Sequence, residues 1–371
     1  MNEKRSLQTT LRIIWAIARK DIVDAIKNRT ILTVFGSVIF TVAMYKFLPY
    51  LDRGEELPGL LLYDAGDSAL TVQLEESPQL RLYTYDSRER LEHLITRADD
   101  FELGLVFPAD LDRRLAAGER VELEAYTAYW LGDRTVEELR QAFQDELEFY
   151  VSASAPAGAA VEIEAEPTRL YPLDPATPSS GFMVSVAIVL VLTMVGVLVV
   201  VHLMLEEKQN QTLDALLVSP ASSLELLLGK AVTGAVYCLA GVVAVYAINA
   251  AYVVHWPLAL CAGSCGALFT VGLGLLLGTL FDTRQQLMLW GFLLMNVLLL
   301  PMFLIIMADV LPSAAVTAMH WTPTSAVGWL VRASFLPRPP VGPALARLGY
   351  VLAWAGAMYA LGAWRVRRLE R

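Results

Sequence analysis

"EEKQNQTLDALLVSP" occupies Glu206–Pro220, directly after more than twenty residues without a charge, and the chain turns apolar again almost at once. Within it Leu213, Leu216 and Leu217 recur at helical spacing, whereas Glu206, Glu207, Lys208, Gln211 and Asp214 keep the other side polar. Pro220 cannot continue a helix and marks its end. Ser222 and Glu225 then stand in the S-x-x-E spacing of a capping box, which starts the next helix. A bare turn between two helices needs only roughly two to eight residues. The pattern predicts a short amphipathic helix held between two membrane-spanning ones.

Composition supports that setting. Of 371 residues, 56% are hydrophobic and 18% charged, with a mean hydropathy of +0.48. Soluble chains carry about 25% charged residues. Apolar windows at 31–50, 181–205, 231–254, 258–281, 287–308 and 344–364 each approach or exceed the roughly 18 residues that a span requires. The fold class expected is an all-α domain of six transmembrane helices carrying an inserted α/β domain. The charge is unevenly spread. Residues 51–178 hold 28 acidic residues against 11 arginines and no lysine, a net −17, whereas the remainder is +8.

Residues 1–29 carry seven basic residues, with Leu11, Ile14, Trp15, Ala18, Ile22 and Ile26 at helical spacing. They read as an amphipathic helix lying on the cytoplasmic face, before a first span at 30–50. The basic lead is too long for a cleaved signal peptide, and no A-x-A-like site follows the apolar run, so a retained helix is expected. Residues 51–178 read as an α/β domain with strands at 60–63, 81–85, 103–107 and 121–126 and a long helix at about 135–151. "SASAPAGAA" and "YPLDPATPSSG" read as linkers. The remaining domain, 179–371, holds five spans, the helix at 206–220 and an outer segment at 309–343. With the N-terminus inside, fourteen basic residues fall on cytoplasmic segments, among them Lys208, Lys230, Arg284, Arg365, Arg367 and Arg368. Both termini are then cytoplasmic and 51–178 extracytoplasmic.

Familiar chemistry is missing from the pattern. No G-x-x-x-x-G-K-[ST] is present; Gly229–Lys230 lacks the upstream glycine and is followed by Ala231. Neither H-E-x-x-H, G-x-S-x-G nor C-x-x-C occurs, and His93, His202, His255 and His320 are scattered. Cys261 and Cys265 are spaced i,i+4 but have no histidine or carboxylate near in sequence, so packing outweighs metal binding. Catalytic, cofactor-binding and metal-ligating residues are accordingly expected to be none, and so is nucleic-acid binding. Ionisable residues are nearly missing from span interiors, so energy must come from another chain.

Glu206–Lys230, "EEKQNQTLDALLVSPASSLELLLGK", resembles the signature stretch of ABC-2 type transporter permeases. The order of elements is similar to that family over the whole chain, and "HWTPTSAVGWLVRASF" (His320–Phe335) resembles its proline-containing outer segment before the last span. The resemblance implies a permease subunit of an ABC exporter in a bacterial inner membrane, with two permease chains forming the path. Two separate cytoplasmic ATPase subunits would hold the ATP and Mg. It assigns Glu206, Glu207, Lys208, Thr212, Leu213, Asp214, Leu216, Leu217 and Pro220 to a coupling helix that docks on the ATPase. Asp282 and Arg284, in the turn "FDTRQQ", are candidates for a second ATPase contact or a plain solvated loop. Asn249 and Asn296 face the pathway or make interhelical hydrogen bonds. Gly274 and Gly278 form a G-x-x-x-G, for a dimer seam or for packing within one subunit. Sparse charge in the spans points to a hydrophobic or amphipathic substrate, and membrane lipid as the surroundings. Two other classes compete. A membrane sensor would bind a ligand with 51–178 but should carry a cytoplasmic effector domain. A membrane-embedded acyltransferase would need polar residues clustered at one interface.

Overall fold

A computed structural model describes residues 7–52, 59–97, 103–176, 181–209, 222–308 and 310–369. The chain divides into two compact units, one built on a sheet within Leu48–Asp174 and one made of helices.

In the sheet unit the run Leu60–Leu61–Leu62 decides the architecture. β1 (Gly59–Asp64) buries Leu60 and Leu62 on one face and Leu61 on the other. A strand covered on both faces reads as a continuous apolar run, and this one is flanked in parallel by β2 (Arg81–Tyr85) and β3 (Leu103–Phe107). β4 (Arg120–Ala128) runs antiparallel to β3 and pairs in parallel with β5 (Ala160–Ile163) and β6 (Thr168–Leu170). The strand order is β2-β1-β3-β4-β5, with β6 also on β4. Between the strands come α3 (Ala69–Glu75), α4 (Arg88–Arg97), α5 (Leu111–Ala116) and α6 (Asp133–Ser154). Phe143 and Leu147 of α6 close one core, and Leu91 and Ile95 of α4 close the other. The four expected strands are present. β5 and β6 are additions, because each is too short to show alternation, and β5 starts at Ala160, the last residue of a stretch expected to be linker.

The helical unit begins with α1 (Leu7–Lys27), a break at Asn28, and α2 (Arg29–Asp52). α7 (Phe182–Thr193), a π turn (Met194–Val199) and α8 (Val200–Gln209) follow without interruption. Next come α9 (Ser223–Ile248), α10 (Trp256–Leu280), α11 (Arg284–Leu304), α12 (Ser313–His320), α13 (Pro323–Ala333) and α14 (Val341–Leu369). Among the described residues five helices are long and apolar enough to cross a membrane: 182–206, 224–248, 256–280, 285–307 and 341–368. α2 covers the expected first span as helix and contributes the shorter apolar stretch Phe35–Met44. The α7–α8 rod is the centre, with 78% of its apolar window buried against 28% for α11 and 22% for α14. Hydroxyls inside these helices donate to backbone carbonyls, as Ser185 does to Phe182 and Thr193 to Val189, so few polar groups are left facing an apolar medium.

The capping box is made as its spacing predicts: Ser222 accepts from the Glu225 N–H, and the Glu225 carboxylate accepts from the Ser222 N–H at 2.7 Å. α9 therefore starts at Ser223, eight residues before the expected start of its span at Ala231. Residues 310–343 contain two short helices, α12 and α13, the second opened by Thr322 with Pro323 at its first position.

Candidate functional site

The π turn brings the site together. Six residues wound one step wider than an α-helix shift the side chains that follow and break the regular i→i−4 ladder, a feature often found at functional positions. α10 crosses the turn closely. A Cβ on Gly274 would strike the Gly196 carbonyl oxygen, and one on Gly278 would lie 2.8 Å from Met204. The G-x-x-x-G thus packs against the chain's own α7–α8 rod, which fills the seam that a second chain would need.

On the far side of the same turn lies a cavity of about 750 Å³. The rod lines it with Met194, Leu198 and His202, and α11 with Phe292, Met295, Asn296 and Phe303. Among the described residues, His202 and Asn296 are its only polar side chains. Asn296 donates to the Phe292 carbonyl of its own helix at 2.8 Å. Such a lining favours an apolar body with one or two hydrogen-bonding groups and gives a multiply charged solute nothing to pair with. The α11 face continues outward as bare hydrocarbon, with Met288 75% and Phe292 74% exposed.

The other expected site residues divide into three groups. Asn249 caps α9, its amide donating to Val245 at 3.0 Å, so its bond lies within one helix rather than between helices, and it does not line the cavity. Asp282 precedes α11 in an exposed turn whose Thr283 accepts from the Gln286 N–H, and Arg284 is the first residue of that helix. Glu206, near the end of α8, accepts from the Asn28 amide at 3.3 Å. Glu207 and Lys208 continue α8, whereas Thr212, Leu213, Asp214, Leu216, Leu217 and Pro220 lie outside the described residues. Among the described residues no group of three histidine, cysteine or carboxylate side chains could hold a metal ion.

The sheet unit's polar groups are used locally. At the carboxyl ends of β1 and β3, where a parallel sheet commonly binds ligands, a Cβ on Gly66 would meet the Ala109 carbonyl at 2.7 Å, so the loops that follow the two strands lie against each other. Asp64 accepts from the Gly66 N–H at 3.0 Å, the Ser68 N–H at 2.6 Å and the Thr71 hydroxyl. Partial burial pushes its carboxyl up, and these hydrogen bonds outweigh that and hold it below the usual value. Hydrogen bonds from Arg140 and Gln141 hold the exposed Glu137 carboxyl down to about 2. Partial burial and a hydrogen bond to Glu124 push Tyr126 up to about 12.

Sequence reasoning did not single out Met194, His202 or Phe292 for the cavity. Their signal is absent from the sequence, because apolar residues facing a cavity and apolar residues facing lipid look alike. It also passed over Asp21, which did carry a signal: a carboxylate on the apolar side of an amphipathic helix.

Long apolar rods, internally satisfied hydroxyls and an apolar cavity between two of the rods define an integral membrane protein. Its family follows from the sequence: a profile of the ABC-2 family transporter proteins matches residues 29–364, and the chain belongs to that family. It is thereby a membrane component of an ABC transporter. No curated protein matches the chain.

Proposed function

We propose that this chain is the permease subunit of an ABC exporter that moves a hydrophobic or amphipathic compound, and that the cavity between α7–α8 and α11 receives it. The observation that carries this reading is the cavity itself, apolar but for His202 and Asn296, on a rod that runs directly into Glu206–Pro220. α2 serves as a sixth span, with both termini cytoplasmic and 51–178 extracytoplasmic, in a bacterial inner membrane. The distribution of basic residues supports that orientation. Two permease chains, identical or related, pair in the bilayer, and the bare face of α11 is compatible with lipid or with the second chain. Two copies of a cytoplasmic ATPase bind ATP and Mg and dock on Glu206–Pro220, with Asp282 and Arg284 as a second contact. The apolar stripe Leu213–Leu216–Leu217 fits a groove on that partner.

The test is co-purification of the full chain with the ATPase encoded beside it, followed by ATP hydrolysis and transport of a lipophilic dye in proteoliposomes. Leu217→Asp is expected to abolish recovery of the ATPase. Phe292→Ala is expected to keep the complex and weaken dye binding about five-fold, the effect of losing one aromatic contact with the ligand. Unaltered assembly with Leu217→Asp, or binding of small ions with no response to lipophiles, overturns the reading.

A further inference from the structure

Asp21 breaks the amphipathic pattern of α1. It lies three residues after buried Ala18, on the side that faces α9, where the pattern asks for an apolar group. Its carboxylate meets the Lys230 ammonium at 3.3 Å, and the two side chains are 7% and 1% exposed. Taking two charges out of water is costly, and a well-packed apolar pair would hold two helices together at least as firmly. What the ion pair adds is register: it satisfies both charges at one offset of the two helices only.

Its neighbours fix the same offset. Gly229 has no side chain, and a Cβ there would sit 2.6 Å from Ile17 Cγ2, so α1 lies directly on α9. The Thr233 hydroxyl is shared between the Gly229 carbonyl of its own helix at 3.1 Å and the Ala18 carbonyl at 3.3 Å, and the Tyr237 hydroxyl donates to the Ile22 carbonyl at 2.6 Å. Gly229, Thr233 and Tyr237 are spaced i, i+4, i+8 and form one ridge of α9. At the end of α1, Asn28 holds the Glu206 carboxylate with its amide at 3.3 and 3.4 Å. Glu206 stands at the upstream root of the connecting segment, and Ser222 with α9 forms the downstream root. The helix that reads from sequence as a membrane-surface element therefore spans both.

We propose that α1 is a strut that fastens together the two roots of the Glu206–Pro220 segment, with Asp21 and Lys230 as its positioning residues. A push delivered to the segment then moves α8 and α9 as one body. The π turn and the cavity lie further along the rod that α8 belongs to, so the strut stands between the segment and the cavity. The direction of that push, from an ATP-hydrolysing partner, rests on the function proposed above; the strut itself does not.

Amide hydrogen exchange of the full chain in lipid nanodiscs tests the strut without any partner. Lys230→Met is expected to speed exchange about ten-fold in α1, and also in α8 around Val200–Glu206, while α13 keeps its protection. The charge-exchanged pair Asp21→Lys with Lys230→Asp restores protection at both places. Loosening of α1 with α8 unchanged reduces the pair to a local tie and overturns the proposal, as does no change at all. Should Lys230→Met fail to fold, Asp21→Asn with Lys230→Met, which removes the tie without stranding a buried charge, gives the same readout. Where an ATPase co-purifies, the same variant is expected to bind it fully while permease-stimulated hydrolysis falls about five-fold, with recovery in the exchanged pair. Full stimulation in Lys230→Met would overturn the strut's part in coupling. A wild-type chain that recovers no ATPase counts against the function proposed above, and the exchange data still decide the strut.

Discussion

Charge means different things in the two units. The sheet unit keeps its ion pairs in water: Arg134–Glu138 at 2.8 Å with side chains 92% and 62% exposed, and Arg113–Asp110 at 2.8 Å with 80% and 40%. Such pairs contribute about 0–1 kcal/mol. The helical unit places Lys230 and Asp21 where neither charge has water to fall back on. A surface pair can be lost with little effect because both partners rehydrate, whereas a buried pair cannot lose one member without stranding the other. The sheet unit's exposed pairs are thus a property of its surface, and the helical unit's Asp21–Lys230 pair is a property of its assembly.

The sharpest way to break this comparison is to remove one charge from each unit. Lys230→Met is expected to destabilise the folded chain by about 3–5 kcal/mol, and Arg134→Ala by less than about 0.5 kcal/mol, both read as thermal unfolding in detergent. Equal effects would mean that the buried site is hydrated. Next in size is crowding of the rod. Gly274→Leu drives a side chain into the Gly196–Val197 backbone, which cannot yield as a flexible side chain would. Overpacking of this kind costs about 1–3 kcal/mol or more, and the yield of monodisperse protein in size-exclusion chromatography should fall accordingly. A third test compares two exposed phenylalanines, Phe292 at 74% in the helical unit and Phe149 at 64% in the sheet unit. Changing either to alanine should leave stability within about 0.5 kcal/mol, but only Phe292→Ala should weaken binding of a lipophilic dye, by about 1 kcal/mol.

The smallest effect belongs to Asp64. Its folded carboxyl titrates below the ordinary aspartate value of 3.8, so its contribution is fully present above that pH and fades as the pH falls through the lower folded value. Asp64→Asn is expected to lose under about 1 kcal/mol at pH 7, because the group is only partly buried and solvent screens it. The gap from wild type should narrow when unfolding is measured below pH 3.8.

Much of the architecture was legible because local rules agreed with the fold. The S-x-x-E at Ser222–Glu225 made its capping box, and the apolar windows became rods. Leu60–Leu62 became a strand buried on both faces. What was not legible depended on contacts across the chain. β6 is three residues long and exists because β4 offers it an edge. Asn249 and Asn296 look alike in sequence, yet one closes a helix end and the other lines a cavity. Gly274 and Gly278 read equally well as a seam between subunits until the rod of the same chain filled that seam.

The sequence by itself determined that this chain lives in a membrane, that it carries a separate acidic α/β unit, and that it belongs with the ABC-2 transporters. Hydropathy and helix signals act over neighbouring residues, so they survive without a structure. Only the tertiary structure decided where the rods part to leave a cavity and which helix ties the Glu206–Pro220 segment at both roots. Those facts turn on contacts up to 215 residues apart in the chain, as between Ile22 and Tyr237. No local pattern encodes such a distance; it exists only once α1 has settled on α9.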